Sequence, residues 1–277
     1  MKFTILIPTW NNLPYLQNCL RSIRMHSVAE HEIIVIINEG KDGTTEWVKK
    51  QTDLKYIHFV QNAGICIGLN RAADMATTNH VLYINDDMYV LPQWDQHIIN
   101  EIKSLNHELY MLSATMIEPT DTGNPCVIVA NFGDSLETFQ EADLLSTYTD
   151  FFKSDWNGST WPPNLLPLSL WQTVGGMSEE FSPGMYSDPD LSKKCWDAGV
   201  RHFRGMGEGK VYHFGSKSTK KLGKNVGREL FKKKWGMSSN TFTNLYLRRG
   251  QNWTGPLPEP KVSIAHRLKI LWVKWTK

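Results

Sequence analysis

"YINDDMYV", residues 83–90, is the stretch on which the reading of the fold turns. It sets Asn85, Asp86 and Asp87 straight after the apolar run Val81, Leu82, Tyr83 and Ile84, and ahead of a second hydrophobic pair. A strand that reads as buried yet ends in two adjacent carboxylates faces something other than core at that end. Neighbouring like charges repel unless a cation neutralises them. The pair therefore reads equally as the corner of a divalent-metal site or as part of a turn, where Asp is common.

Working back from this stretch, strand-like and helix-like segments alternate at a regular pace. "FTILI" (3–7) is an apolar run ended by Pro8, followed by a helix with Leu13, Leu16, Leu20 and Ile23 at helical spacing. "EIIVII" (32–37) leads through the turn "NEGKDG" into the short helix "TTEWVKKQ". "KYIHFV" (55–60) passes through a loop "QNAGICIG" to the helix "LNRAADMATT", and "HVLYI" (80–84) is the fourth strand. This order predicts an α/β fold with a Rossmann-like, mostly parallel central sheet flanked by helices. Ligands of such sheets bind beyond the carboxyl ends of the strands. Four polar loops, "PTWNN", "NEGKDG", "QNAGICIG" and "NDD", fall there.

Beyond Leu91 the pattern loosens. "LPQWDQHIINEIKSL" reads as a helix, "ELYMLSATMI" as a strand, and 117–165 as a long irregular excursion that contains the helix-like "LETFQEADLL". "LLPLSLWQTVGGM" and "YSDPDLSKKCWDAG" return to regular structure. "GMGEGK" (205–210) lacks the spacing of a phosphate-binding loop and reads as a Gly-rich turn.

A chain of 277 residues, 41% of them hydrophobic, can bury a substantial core. No apolar run reaches the roughly 18 residues of a spanning helix, and "MKFTILIPTW" is broken too soon by Pro8 for a signal peptide. The expected location is cytoplasmic. Cys19, Cys66, Cys126 and Cys195 form no C-x-x-C pair and read as buried free thiols. Charge divides sharply: residues 1–200 hold 12 Lys and Arg against 25 Asp and Glu, and residues 201–277 hold 18 against 3. The basic end points to an anionic partner, a phosphate-bearing ligand or a membrane surface. No nucleic-acid-binding motif is present, so nucleic acid is not an expected partner.

The order of the pieces resembles the family 2 glycosyltransferases, inverting enzymes of GT-A fold that use a nucleotide-sugar donor. The resemblance is carried by "ILIPTWNN", "VIINEGKDGT", "NAGICIGLNRAA", "YINDDM" as the D-x-D-type motif, "VGGMSEEF" and "YSDPDL", across residues 3 to about 215. It implies a nucleotide-diphosphate sugar donor, UDP or dTDP by preference, a Mn2+ or Mg2+ cofactor, and a glycan or lipid-linked acceptor. Pro8, Thr9 and Asn38 would line the nucleobase pocket, and Asn62, Gly64 and Asn70 the wall beside base and ribose. Asp86 would approach the ribose or sugar, Asp87 would hold the metal with His213, and Asp188 would be the general base. Trp156, Trp161 and Asp190 are candidates for the acceptor side.

Three positions depart from the family pattern. Asn38, followed by Glu39, stands where an acid contacts the base; Leu69 replaces a basic residue, with Arg71 nearby; and Ser187 replaces the first acid before Asp188. The expected division is a catalytic domain over 1–215, with a nucleotide-binding half (1–90) and an acceptor half (91–215), then a basic helical extension over 216–277. Within that extension, "VSIAHRLKILWVKWTK" (262–277) reads as a Trp-bearing basic helix suited to an anionic membrane surface, at the inner face of the cell membrane. Two other functions fit parts of this pattern: a nucleotidyltransferase of related fold, and an inactive nucleotide-sugar-binding scaffold. "PTWNN" has no Lys, Arg or Gly, which counts against the first.

Overall fold

The computed structural model describes residues 1–215, 226–261 and 263–264. Its first half is built from β1 (Thr4–Trp10), α1 (Leu13–His26), β2 (Glu32–Asn38), α2 (Thr44–Val48), β3 (Lys55–Phe59), α3 (Gly64–Ala73) and β4 (His80–Tyr83). The strands pair in parallel in the order β3-β2-β1-β4. Alternation in β1 and β2 explains the layers. Ile5, Ile7, Ile33, Val35 and Ile37 pack on one side with Leu16, Leu20 and Ile23 of α1. Leu6, Ile34 and Ile36 face the other side with Leu69 and Ala72 of α3. Each such side chain moved out of water contributes roughly 1.5–3 kcal/mol, so a sheet covered on both faces needs apolar residues at nearly every position.

Two boundaries differ from the sequence reading. Pro8 does not end β1; it lies within the strand and pairs in register with Ile36. Leu6 turns its carbonyl to β4, where Ile84 N–H donates to it at 3.1 Å. Two residues on, Pro8 turns to the same side, but the β1–β4 ladder has already stopped at Leu6. Its missing N–H therefore leaves no ladder bond broken. The helix α3 begins at Gly64, not after the glycine-rich stretch. A Cβ on Gly68 would stand 2.7 Å from Ile36 Cγ2, so that glycine allows close helix-to-strand packing rather than forming a loop.

The second half is more regular than its sequence suggests. It comprises β5 (Met88–Val90), α4 (Trp94–Ser104), β6 (Tyr110–Glu118), β7 (Ile128–Val129), α5 (Glu141–Thr147), β8 (Trp156–Asn157), β9 (Asn164–Pro167), α6 (Leu168–Thr173), α7 (Ser187–Asp197) and β10 (His202–His213). The strand β9 inserts antiparallel between β4 and β6, and β5 and β8 run antiparallel to β10. The ten-stranded sheet, in the order β3-β2-β1-β4-β9-β6-β10-β5 with β7 on β6 and β8 on β10, is therefore mixed. "GMGEGK" is not a turn between elements but a bulge inside β10, where register passes from Met206 opposite Ala114 to Lys210 opposite Thr115. Gly205 leaves room for the Trp156 ring, with which any Cβ would collide.

The described part of the C-terminal segment packs on the same body. It forms α8 (Gly227–Trp235) and a turn of helix Ser239–Thr241 that runs into a π-helical turn, Phe242–Tyr246. Phe231, Phe242, Tyr246, Leu247 and Leu257 join the buried cluster that also contains Leu191 and Trp196 of α7. All four cysteines are buried and free. Lys217, Lys220, Lys221 and Lys224, and the helix expected over 262–277 beyond Ile264, lie outside the described residues. Among the described residues, no helix is long and apolar enough to cross a membrane.

Candidate active site

In the structure, "NDD" forms a turn. Met88 N–H donates to the Asn85 carbonyl at 3.3 Å, closing a turn whose central residues are Asp86 and Asp87. Tyr83 Oη donates to Asn85 Oδ1 at 2.7 Å, and Phe214 N–H donates to the Asp87 carbonyl at 3.1 Å. The turn thus fixes both carboxylates on the wall of a cavity, where they are only 6% and 3% exposed.

Three adjacent strands then set a row of groups across the sheet. Parallel pairing of β6 and β10 puts Ile117 opposite Tyr212, so the next residues, Glu118 and His213, stand side by side at the strand ends. Antiparallel pairing of β5 with β10 puts Met88 opposite His213 and brings Asp87 to its other flank. His213 Nδ1 lies 2.8 Å from Glu118 Oε1, and Nε2 lies 3.4 Å from Asp87 Oδ1. Burial alone would lower the imidazole pKa, but the two carboxylates outweigh it and raise it to about 10.

The cavity has a volume of about 460 Å3 and opens at the carboxyl ends of β1, β2 and β4. Pro8, Thr9, Asn38, Asn62 and Gly64 line it, so five of the residues expected around a nucleotide meet there. Thr9 Oγ1 is enclosed with no hydrogen-bond partner among the described residues. Asn38 Oδ1 accepts from Ala63 N–H at 3.0 Å, Asn62 Oδ1 from Gly64 N–H at 2.8 Å, and the Pro183 carbonyl from Ile65 N–H at 3.0 Å. Three amides at the start of α3 are thereby held by protein. Gly64, at φ +80°, admits the 182–184 loop: a Cβ would stand 2.9 Å from Pro183 Cα. Asn70 does not reach the cavity lining; it holds the backbone of Met177.

Asp188 and Trp161 also line the cavity. Asp188, in the first turn of α7, has an enclosed Oδ1 with no hydrogen-bond donor among the described residues. Burial pushes its carboxyl up to about 7. Asp190 and Trp156 are not part of the lining. Asp190 is fully buried and accepts from Ser178 Oγ at 2.5 Å and Trp235 Nε1 at 2.8 Å, with Lys234 Nζ at 3.0 Å. Trp156 is 4% exposed and donates from Nε1 to Thr115 Oγ1 at 2.8 Å. Sequence reading missed Glu118, Asn124, Ser239, Asn240 and Thr243, all of which line the cavity. Glu118 carries the same signal as Asp86, an acid ending a buried strand. The other four carry none, because they reach the site from an irregular segment and from the C-terminal turn.

Among the described residues, no group of three or more His, Cys, Asp and Glu side chains makes a complete metal cage. Asp87 and His213 nevertheless fit as two donors to one ion. Their 3.4 Å separation is comparable to the roughly 3 Å between two donors at right angles with bonds of about 2.1 Å. An oxygen and an imidazole nitrogen suit Mn2+ in particular. An ion held by so few protein groups takes its remaining positions from water and phosphate oxygens.

Comparison with known proteins bears on the family and the fold. The model of the family described as glycosyl transferase family 2 matches residues 4–154. EpsH of Bacillus subtilis (strain 168), named as a glycosyltransferase, is 25% identical over 152 residues, which cover 53% of this chain and 39% of EpsH. The chain thus spans well under half of that relative. Among solved structures, S. aureus TarS 1-349 superposes with a TM-score of 0.58 at 16% identity, over 77% of this chain and 60% of TarS 1-349. TarS 1-349 has also been solved with UDP and with UDP-GlcNAc. The mannosyltransferase PcManGT from Pyrobaculum calidifontis, in complex with GDP-Man and Mn2+, gives 0.54 at 17% identity, over 79% of this chain and 59% of PcManGT. Likenesses at these identities are of fold, the GT-A arrangement.

Proposed function

The chain belongs to glycosyl transferase family 2, and from that premise we propose that it transfers a sugar from a nucleotide-diphosphate donor to a hydroxyl of a glycan or lipid-linked acceptor, with inversion at the anomeric carbon. The observation that carries this reading is Asp188: a carboxylate on the cavity wall, with an oxygen to which no group among the described residues donates and a pKa at about 7. Such a group is poised to take the proton of an acceptor hydroxyl. The acceptor oxygen then attacks the anomeric carbon, and the bond to phosphate breaks as the nucleoside diphosphate leaves with the electron pair. Single displacement from the opposite face inverts the centre and needs one base, not the acid and base pair of a hydrolase.

On the donor side, Pro8, Thr9 and Asn38 would border the base, with Asn62 and Gly64 beside it and Asp86 toward the ribose or sugar. UDP or dTDP is the proposed nucleotide. Asp87 and His213 would hold Mn2+ or Mg2+. When bound, that ion neutralises charge gathering on the diphosphate. Trp161, with Arg249 over its ring at 5.3 Å, offers an aromatic wall for an acceptor sugar. Asn70 and Asp190 support the site from outside it, through Met177 and through Ser178. A peripheral position at an anionic inner membrane face, through the basic C-terminal segment, belongs to the same proposal. Sedimentation with anionic liposomes at low salt tests it.

The decisive experiment titrates UDP, dTDP and GDP with and without MnCl2, then follows donor turnover by the parent, Asp188→Asn and Asp87→Ala. Metal-dependent nucleotide binding with turnover lost in both variants supports the proposal. Binding without turnover by the parent identifies a scaffold instead, and equal turnover by all three sinks the site assignment.

A further inference from the structure

We propose that Glu118 is a positioning residue, which holds the His213 ring so that Nε2 is presented to a divalent cation beside Asp87. The proposal rests on the reading of Asp87 and His213 as metal ligands, and it adds a role for a carboxylate that this reading leaves unused.

Glu118 lies on the Nδ1 flank of His213, away from the Nε2 flank that faces Asp87, and so is not placed as a further ligand. Its Oε1 accepts from His213 Nδ1 at 2.8 Å, and its Oε2 accepts from Thr122 Oγ1 at 3.3 Å. Both oxygens are committed to protein donors. The residue is 8% exposed and is fixed at its backbone too, where Ala130 N–H donates to its carbonyl at 3.0 Å. A carboxylate so held accepts a hydrogen bond from Nδ1–H, fixes the ring orientation and leaves the Nε2 lone pair on the side of Asp87 Oδ1, 3.4 Å away. Carboxylate partners of this kind fix the tautomer and raise the basicity of metal-binding histidines.

The bulge in β10 creates the arrangement. Three extra residues, Gly207 to Gly209, separate the pair Met206–Ala114 from the pair Lys210–Thr115. Were these three residues paired in register instead of bulged out, Lys210, not His213, would come level with Glu118. A cation with no lone pair to offer would then replace the imidazole. Their bulging out of the ladder therefore selects the partner of Glu118.

The test is titration of the purified full chain with MnCl2 alone, followed by electron paramagnetic resonance of free Mn2+, for the parent, Asp87→Ala, Glu118→Gln and Glu118→Ala. Thermal melts monitor folding. Glu118→Ala is expected to weaken Mn2+ binding about 10- to 100-fold. Glu118→Gln, isosteric and still able to accept from Nδ1, is expected to recover part of that loss. Parent-like Mn2+ affinity in both Glu118 variants, with Asp87→Ala defective, overturns this proposal alone. A parent that binds no Mn2+ overturns the metal reading and this proposal with it. Should Glu118→Ala fail to fold, the Gln variant decides: Mn2+ affinity reduced in a protein with an unchanged melt supports the role, and unchanged affinity removes it.

Discussion

Asn70 holds Met177 by both sides of its backbone: Nδ2 donates to the Met177 carbonyl and Oδ1 accepts from its N–H, each at 2.8 Å. One side chain of α3 thus fastens the loop that precedes Asp188, although it lies outside the cavity.

Asn70→Ala strands two buried backbone groups, each costing about 1–3 kcal/mol when unsatisfied. The variant is expected to lose roughly 2–4 kcal/mol of stability, read as a lower midpoint in urea. An unchanged midpoint would mean that water replaces the amide without penalty.

Activity is expected to rise with pH through about 7, because Asp188 must be ionised to accept a proton and burial holds its pKa there. A pH profile of kcat/KM that stays flat from 5.5 to 8.5 contradicts the base assignment. Asp188→Asn is expected to reduce kcat about 10²- to 10⁴-fold. It is also expected to stabilise the fold at pH 8. The carboxyl pKa is raised in the folded state, so ionising it opposes folding at every pH above its unfolded value near 4. Urea melts of the two proteins at pH 8 check this.

Glu32 governs acid stability. Burial pushes its pKa up, but hydrogen bonds from Lys55, Thr4 and Thr77 prevail and hold it at about 2. Its folded pKa is depressed, so its contribution is present above the unfolded value near 4.3 and is lost as pH falls toward 2. Allowing for the half-exposed Lys55 partner, the contribution is roughly 2 kcal/mol. Glu32→Gln is expected to be less stable at pH 7 and to show a shallower decline between pH 4.5 and 2 in denaturant midpoints.

The two tryptophans of the 151–165 segment should separate. Trp156 is buried against Gly205, so Trp156→Ala is expected to cost about 3–5 kcal/mol in stability. Trp161 stands on the cavity wall, so Trp161→Ala is expected to raise acceptor KM several-fold with a smaller change in melting temperature. The reverse pattern would remove Trp161 from the acceptor wall.

Much of the cavity lining was legible because its signals are local. A period of two in "FTILI" and "EIIVII" marks strands, and polar loops after them mark a binding rim. An acidic pair ending "HVLYI" marks the point where that rim carries charge. Pro8, Thr9, Asn38, Asn62, Gly64, Asp86 and Asp87 all come from the carboxyl ends of strands or the loops after them, and they meet in the cavity. The same local reading misplaced Asn70, Asp190 and Trp156, since residue type and position do not say which way a side chain points once neighbours pack.

By itself, the sequence determined the α/β layering and the place of the Asp pair, since alternation and turn chemistry act over a few residues. Only the tertiary structure decided that β9 enters antiparallel, which makes the sheet mixed. It also decided that His213 meets Glu118 on one flank and Asp87 on the other. That row depends on register between strands about a hundred residues apart and on a three-residue bulge in β10. Register is chosen by the summed packing of whole strands, which no short stretch of sequence contains.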